Sequence, residues 1–330
     1  MPSLPRIRRP EPRTVAAPAE RARPRLPELQ HRGLTWINLE APTPEEVGLL
    51  SHRFGWHPLD VEDVLSKRQR PKIDEYSEDG YLFGVLHFPA WDPSIGRLNA
   101  GELDFFLGEN YLVTLPNVEL RPVSLLFRRC YEDEEAREQY LGKSSGYLLY
   151  HVLDDLFDYC FPILDKIAYK LDSIEDDLEE EGAAKELVRD ISRVKQEIIS
   201  YRKIIKPERA TLRTLERQVE RFLPEELELY FDDIVDAAER IWDLLDNYKE
   251  VVEALEDTNE SLISHQQNDI LYVLTIFSVV MLPLTFLTGF FGMNVDFPGF
   301  NSAGAFWGSL GLMAVAIVGM LAFFRWKRWL

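Results

Sequence analysis

The chain has 330 residues, enough for one large domain or two ordinary ones with a buried core, and a formal net charge of −19. Residues 1–30 hold seven Arg, three Glu and seven Pro, a net of +4, which leaves −23 on the remainder; that excess argues against nucleic acid as the main partner and suits a chain that gathers cations. Cys130 and Cys160 are the only cysteines, too few for a disulfide scaffold or a thiolate metal cluster, and they read as reduced, small apolar side chains.

Residues 1–30 read as a disordered basic tail, because Pro opposes helix and little in the stretch is apolar. No basic head followed by an apolar run marks an export signal, so the body that follows is expected in the cytosol. An α/β domain is expected over 31–120. It opens with a strand at Leu34–Leu39, followed by a helix entered through Thr43-Pro44-Glu45-Glu46 and a short helix at Leu59–Leu65. Strand-like runs come next at Lys72–Tyr76, Tyr81–Phe88, Leu98–Leu107 and Tyr111–Leu115, and their order in a sheet is not readable. A helical domain is expected over 121–233. Its helices are predicted at Leu125–Tyr140, at Gly146–Glu181 with Pro162 inside, and at Ala184–Lys206 and Pro207–Phe222, separated by Pro207. Seven carboxylates between Asp172 and Glu181 read as an exposed helix end.

A stalk is predicted over 234–290. Ile234, Ala238, Ile241, Leu245, Tyr248, Val252 and Leu255 recur at steps of four and three, the spacing of a packing seam, and the register runs on to Asn259, Leu262 and Gln266. From Val235 to Thr288 the only Gly or Pro is Pro283, so one rod of roughly 80 Å is expected, one that implies neighbours, copies of itself.

No formal charge falls between Ile270 and Val295, a stretch long enough to cross a hydrocarbon layer of roughly 30 Å. A second apolar run covers 303–324, after a loop at 291–302. Arg325, Lys327 and Arg328 then place the 325–330 end in the cytosol by the positive-inside tendency. The expected layout is a multi-pass protein of the cell (inner) membrane, with both termini cytoplasmic and the loop outside. The hydroxyls of Thr275, Ser278, Thr285 and Thr288 either bond to their own helix or line a pore.

Gly292-Met293-Asn294 closes the first span, Pro283-Leu284-Thr285 lies within it, and the basic end follows the second. With these elements the chain resembles the CorA-type divalent metal transporter family. The resemblance implies an α+β or α/β cytosolic domain, a long helical stalk and two C-terminal transmembrane helices, assembled as a funnel-shaped homopentamer in the lipid bilayer. It places Asn294 in a ring of amides at the outer mouth, where the outer water layer of a dication that dehydrates reluctantly can be held. Gly292 would let the chain turn and Met293 would give apolar support. Gly289, Thr285, Leu282, Leu274 and Asn268 would face the pore, with Leu274 and Leu282 as an apolar neck. Counting puts 268, 275, 282 and 289 seven apart on one stripe, with 274, 278 and 285 beside it.

The resemblance also implies regulatory metal binding between subunits, carried here to Asp92 and Asp233, with Asp232 as an alternative ligand. Carboxylates facing each other repel without metal and are bridged with it. The outer loop departs from the family pattern: Asp296 is its one acid, available to attract cations. The implied function is a channel for hydrated Mg2+, and also Co2+ or Ni2+, moving down its electrochemical gradient. Mg2+ serves as substrate and regulatory ligand, with no cofactor. A zinc or heavy-metal transporter, proton-coupled or not, is the alternative within transport; a non-conducting membrane-anchored sensor or scaffold is the alternative outside it. No nucleotide-binding glycine loop, His-Glu-x-x-His helix or Gly-x-Ser-x-Gly elbow occurs, so the chain does not read as an enzyme.

Overall fold

The computed structural model describes residues 26–330, apart from 67–68, 93, 95, 179, 181–183, 223–228, 294–302 and 328–330. The chain divides into two compact units: one runs to Ser173 and takes in Ser192–Val252, and the other consists of Ile174–Ile191 and Glu253–Leu330.

The first unit is built on a six-stranded sheet of β1 (Glu28–His31), β2 (Leu34–Asn38), β3 (Lys72–Tyr76), β4 (Tyr81–Asp92), β5 (Arg97–Gly108) and β6 (Tyr111–Pro116). The spatial order is β1-β2-β6-β5-β4-β3; β2 and β6 run parallel and every other pair is antiparallel. Helix α1 (Pro44–Phe54) starts in a capping box, the Thr43 hydroxyl accepting from the Glu46 amide while the Glu46 carboxylate accepts from that of Thr43. Together with α2 (Pro58–Leu65) it covers one face of the sheet. Val47, Leu50 and Val64 there meet Phe83, Val85 and Val113, and Trp56 stacks on Phe106 with ring centres 3.6 Å apart. On the opposite face Gly84 makes room for Phe105, since a Cβ there would lie 2.2 Å from its ring. There Trp36 meets Phe127 of α3 (Arg121–Glu132) edge-on, and Phe88 meets Phe157 of α5 (Ser145–Leu178) in the same way.

The remaining helices are α4 (Glu134–Leu141), α6 (Ala184–Val219), α7 (Leu229–Phe291) and α8 (Ala303–Trp326). Three expectations need correction. The tail is expected to run through residue 30, yet β1 is a strand whose Leu29 is buried. Arg32 and Gly33, at φ 47° and 90°, form a tight two-residue reversal that returns the chain into β2. The segment expected as one helix over Leu125–Tyr140 is two. Asp133 is extended, ending α3 through its amide to the Arg129 carbonyl and capping α4 by accepting from the Glu135 amide.

Pro207 does not break the chain between helices but sits inside α6. Its cost in a helix interior, about 3 kcal/mol, is offset by burial of Tyr201, Ile204 and Ile205 on one side and Leu212 and Leu215 on the other. The α7 seam, expected to pack against another helix, does so: Ile234, Ala238, Ile241, Leu245 and Val252 are buried within the chain. Helix α6 faces α7 there: Arg202 stacks over Trp242 and pairs with Asp246, and Arg209 and Arg213 pair with Glu239. The thiols of Cys130 and Cys160 are free, fully buried, and pushed up to about 11 and about 12 by burial.

Glu208 on α6 is a fully buried carboxyl. The β3–β4 ladder stops at Lys72 and Val85, so the His87 amide has no strand partner; Glu208 Oε1 accepts from it at 2.6 Å while Oε2 is unpartnered. Burial pushes this carboxyl well above the usual value of 4.5. The folded state therefore keeps a proton that the unfolded chain releases above that pH, and stability falls as pH rises from there toward the folded value. Glu208→Gln preserves an oxygen for His87 and removes the ionisation. It is expected to raise the melting temperature at pH 8 by a few degrees, on the order of 1 kcal/mol, and to leave it unchanged at pH 4. Identical melting of both proteins at both pH values would contradict this.

Candidate functional site

Helix α7 contains 63 residues, and its charge-free stretch and α8 are each long and apolar enough to cross a membrane. Between Ile270 and Phe291 no described side chain is fully buried, and in α8 only Phe324 is. Ile276, Val280, Pro283 and Leu287 are half-buried and recur at helical spacing, with Tyr272, Thr275 and Ile276 facing Phe324 of α8 across a shared gap. At about 100° per residue the opposite side of α7 carries Leu274, Ser278, Leu282, Thr285 and Gly289, all exposed. Leu274 is 61% and Leu282 71% exposed, so among the described residues nothing covers them. Asn268 is exposed two turns before Thr275.

The hydroxyls of this span turn their hydrogens inward. Thr275 donates to the Leu271 carbonyl at 2.7 Å, Ser278 to Leu274 at 2.9 Å, Thr285 to Met281 at 2.8 Å and Thr288 to Thr285 at 2.9 Å. The Thr285 hydroxyl thus bonds its own helix. Having spent its hydrogen on the helix, its oxygen is left as an acceptor on the exposed face, and the water shell of a cation presents hydrogens outward.

Helix α7 ends where the sequence places its glycine. The Gly292 amide donates to the Thr288 carbonyl at 2.9 Å, and a Cβ at Gly292 would stand 2.8 Å from that oxygen. Any other residue would push the end of the helix outward. Met293 follows, 53% exposed. Asn294 and Asp296 lie outside the described residues, as does Arg328; Arg325 and Lys327 are exposed at the end of α8.

Asp92 closes β4 at the hairpin to β5. Its Oδ1 accepts from the Ser94 amide at 2.9 Å and hydroxyl at 2.5 Å, and its Oδ2 from Asn99 at 3.3 Å. It lines an open cleft of about 740 Å³ with Trp91, Leu156 and Tyr159. Asp232, in the first turn of α7 where a carboxylate opposes the helix dipole favourably, and Asp233 after it are exposed, beside Phe231, which is buried. Among the described residues no group of three or more His, Cys, Asp or Glu converges to hold a metal ion, so Asp92 and Asp233 do not form a closed site within one chain.

Sequence reasoning passes over an acid that belongs with Asp233. Asp154 on α5 has its carboxyl pushed up to about 6, first by burial, then by Asp158, Asp155 and Asp233. The signal is present as Asp154-Asp155-Leu156-Phe157-Asp158, one acidic edge on a helix whose other positions are mostly apolar. The stretch around Asp233 is thus already short of countercharge before any second copy approaches.

Residues 31–328 match the family described as CorA-like Mg2+ transporter protein. The chain is 32% identical over 295 residues to YfjQ of Bacillus subtilis, covering 89% of each. It is 30% identical over 299 residues to the cobalt/magnesium transport protein CorA of Thermotoga maritima, covering 90% of this chain and 83% of that one. Its fold matches the complete structure of the CorA magnesium transporter from Methanocaldococcus jannaschii with a TM-score of 0.75 at 21% identity, covering 92% of this chain and 93% of that one. With a family match over residues 31–328 and a relative 32% identical over 89% of each chain, the chain belongs to the CorA-like Mg2+ transporter family, a family of transporters rather than enzymes.

Proposed function

We propose that this chain conducts hydrated divalent cations, Mg2+ foremost and Co2+ or Ni2+ with it, down their electrochemical gradient through a pore lined by the α7 spans of five copies. The observation that carries the reading is the uncovered stripe Leu274, Leu282, Thr285 and Gly289, with hydroxyl hydrogens turned away from it. An apolar stripe alone would suit lipid. Hydroxyls bonded to their own helix are tolerated in either setting, while the amide of Asn268 in the same stripe suits water. The name of the Thermotoga maritima relative supports cobalt and magnesium as cargo.

In this reading Asn294 and Asp296 stand at the outer mouth, Asn294 holding the ion through its water shell. Gly292 and Met293 form the turn beneath, and Leu282 and Leu274 make the neck that stops ions when it dries. Arg325, Lys327 and Arg328 hold the second span's end at the cytosolic surface of the inner membrane. An inside-negative potential of 100 mV supplies roughly 4.6 kcal/mol per dication, so no chemical fuel is required.

Closure is assigned to Mg2+ bound between subunits by Asp92 of one copy and Asp233 or Asp232 of the next. Asp154 has its carboxyl raised first by burial and then by Asp158, Asp155 and Asp233, so a dication bound at Asp233 relieves part of the repulsion there. Replacing Asp92 and Asp233 together by Ala is expected to raise the internal Mg2+ concentration needed for half-closure by at least about tenfold, a coupling of roughly 1.4 kcal/mol. An unchanged half-closure concentration in assembled protein would remove these residues from the sensor.

Flux into liposomes with voltage and pH gradients set independently tests the whole reading. Voltage-driven Mg2+ entry that ignores the pH gradient is the expected result. Zinc entry that needs a proton gradient would instead establish the carrier reading, and no flux of any dication would leave the membrane-anchored sensor.

A further inference from the structure

We propose that a crevice between the β4–β5 hairpin and α6 is an anion site that takes a phosphate-bearing ligand. It has a volume of about 310 Å³, the lower end of ligand pockets, and is lined from the strands by His87, Arg97 and Asn99 and from α6 by Gln196, Ser200 and Lys203. The residues at 196, 200, 203 and 204 follow steps of four, three and one, so a single helix face meets the start of β5. Among the described residues no carboxylate lines the crevice. In a chain with 56 Asp and Glu against 37 Lys and Arg, that is a marked local reversal of charge.

The cations there are also uncommitted. Neighbouring basic residues on α6 are ion-paired: Arg202 with Asp246, and Arg209 and Arg213 with Glu239. Arg97 and Lys203 have no carboxylate partner among the described residues, and both are exposed. Two acids stand close by: Glu102 is buried and turned to His87 Nε2 at 3.3 Å, with the His87 amide already taken by Glu208, and Asp92, opposite Arg97 across the β4–β5 ladder, accepts from Ser94 and from the Asn99 amide. What remains is a guanidinium fork, an ammonium, the Gln196 amide and a hydroxyl around one space, since Asn99 is bonded to Asp92 and to the Ala100 amide. A planar fork with a point charge opposite suits the tetrahedral oxygens of a phosphoryl group better than a single carboxylate. The site lies wholly within the first unit and stands or falls independently of the transport reading.

The shared chemistry is the phosphoryl group, whether free phosphate or a phosphate ester. The test is calorimetric titration of the full-length protein in detergent, with free Mg2+ held fixed by a metal buffer because phosphates chelate it. The probes are inorganic phosphate and a nucleoside triphosphate, and chloride at equal ionic strength corrects for screening. Saturable binding of either probe is expected, weakened at least tenfold in Arg97→Gln and in Lys203→Gln and further in the double variant. Saturation by phosphate itself identifies a free anion, and saturation by the triphosphate alone identifies an ester. Neither side chain has a carboxylate partner to lose, so assembly should be unaffected; should the double variant fail to assemble, the single variants carry the comparison. Absence of saturable binding by both probes, or equal affinity in the variants, overturns the proposal.

Discussion

Replacing Asn294 by alanine is expected to lower voltage-driven Mg2+ flux roughly 70-fold, if each of five ring amides contributes about 0.5 kcal/mol to holding the ion's water shell. Direct coordination by fewer, stronger ligands would give a larger loss on paper. It would also require stripping Mg2+ of tightly bound water, which the ion resists. The ring works by adding weak contacts, and this sets a second expectation. Asn294→Gln keeps the amide but moves it one methylene outward, so it should recover only a fraction of the flux and should discriminate less between Mg2+ and Co2+. Gly292→Ala should fail for a separate reason, because its Cβ would stand 2.8 Å from the Thr288 carbonyl and displace the ring as a whole. Flux within twofold of the native protein for assembled Asn294→Ala would place selection elsewhere.

The membrane half of this protein is legible because its signals are local. A run without charge, a glycine at its end and basic residues after the second run each concern neighbours in sequence, and α7 and α8 lie where these signals put them. The sheet is legible only as strands. The parallel pairing of β2 with β6 joins residues 35–38 to 111–114, and nothing in either segment names the other. Local rules mislead at two places for one physical reason. Pro207 reads as a break and the stretch around Glu28 as tail, yet burial of α6 on both sides of the proline and pairing of β1 with β2 override the local preference. In α3 and α4 the reverse occurs: the apolar spacing runs through Asp133, but its extended backbone stops one helix and its side chain starts the next. The stripe on α7 is countable by sevens, but counting cannot say which side of a helix a partner covers. The half-buried positions facing α8 supply that distinction. Asp154 escapes sequence reasoning because its meaning depends on Asp233, some 80 positions further along the chain and on another helix.

Replacing Leu282 by asparagine separates a pore from a lipid-facing helix. Leu282 is 71% exposed in the chain, so in the membrane it meets either hydrocarbon or water. If it lines the neck, five asparagines wet a constriction that five leucines keep dry, and the barrier that high internal Mg2+ raises is lowered. A reduction of about 2.7 kcal/mol gives roughly hundredfold more flux in the closed condition, with little change when the pore is already open. If Leu282 faces lipid instead, an amide is exposed to hydrocarbon with no partner. Insertion and assembly then suffer, and flux falls in every condition. The two arrangements predict opposite signs for one substitution. Leu274→Asn, two turns inward on the same stripe, should behave in the same way. Val280→Asn, on the half-buried side toward α8, should impair assembly without opening anything. A leak from the first two and none from the third would define the conducting face of α7; a leak from Val280→Asn alone would put the path on the other side of the helix.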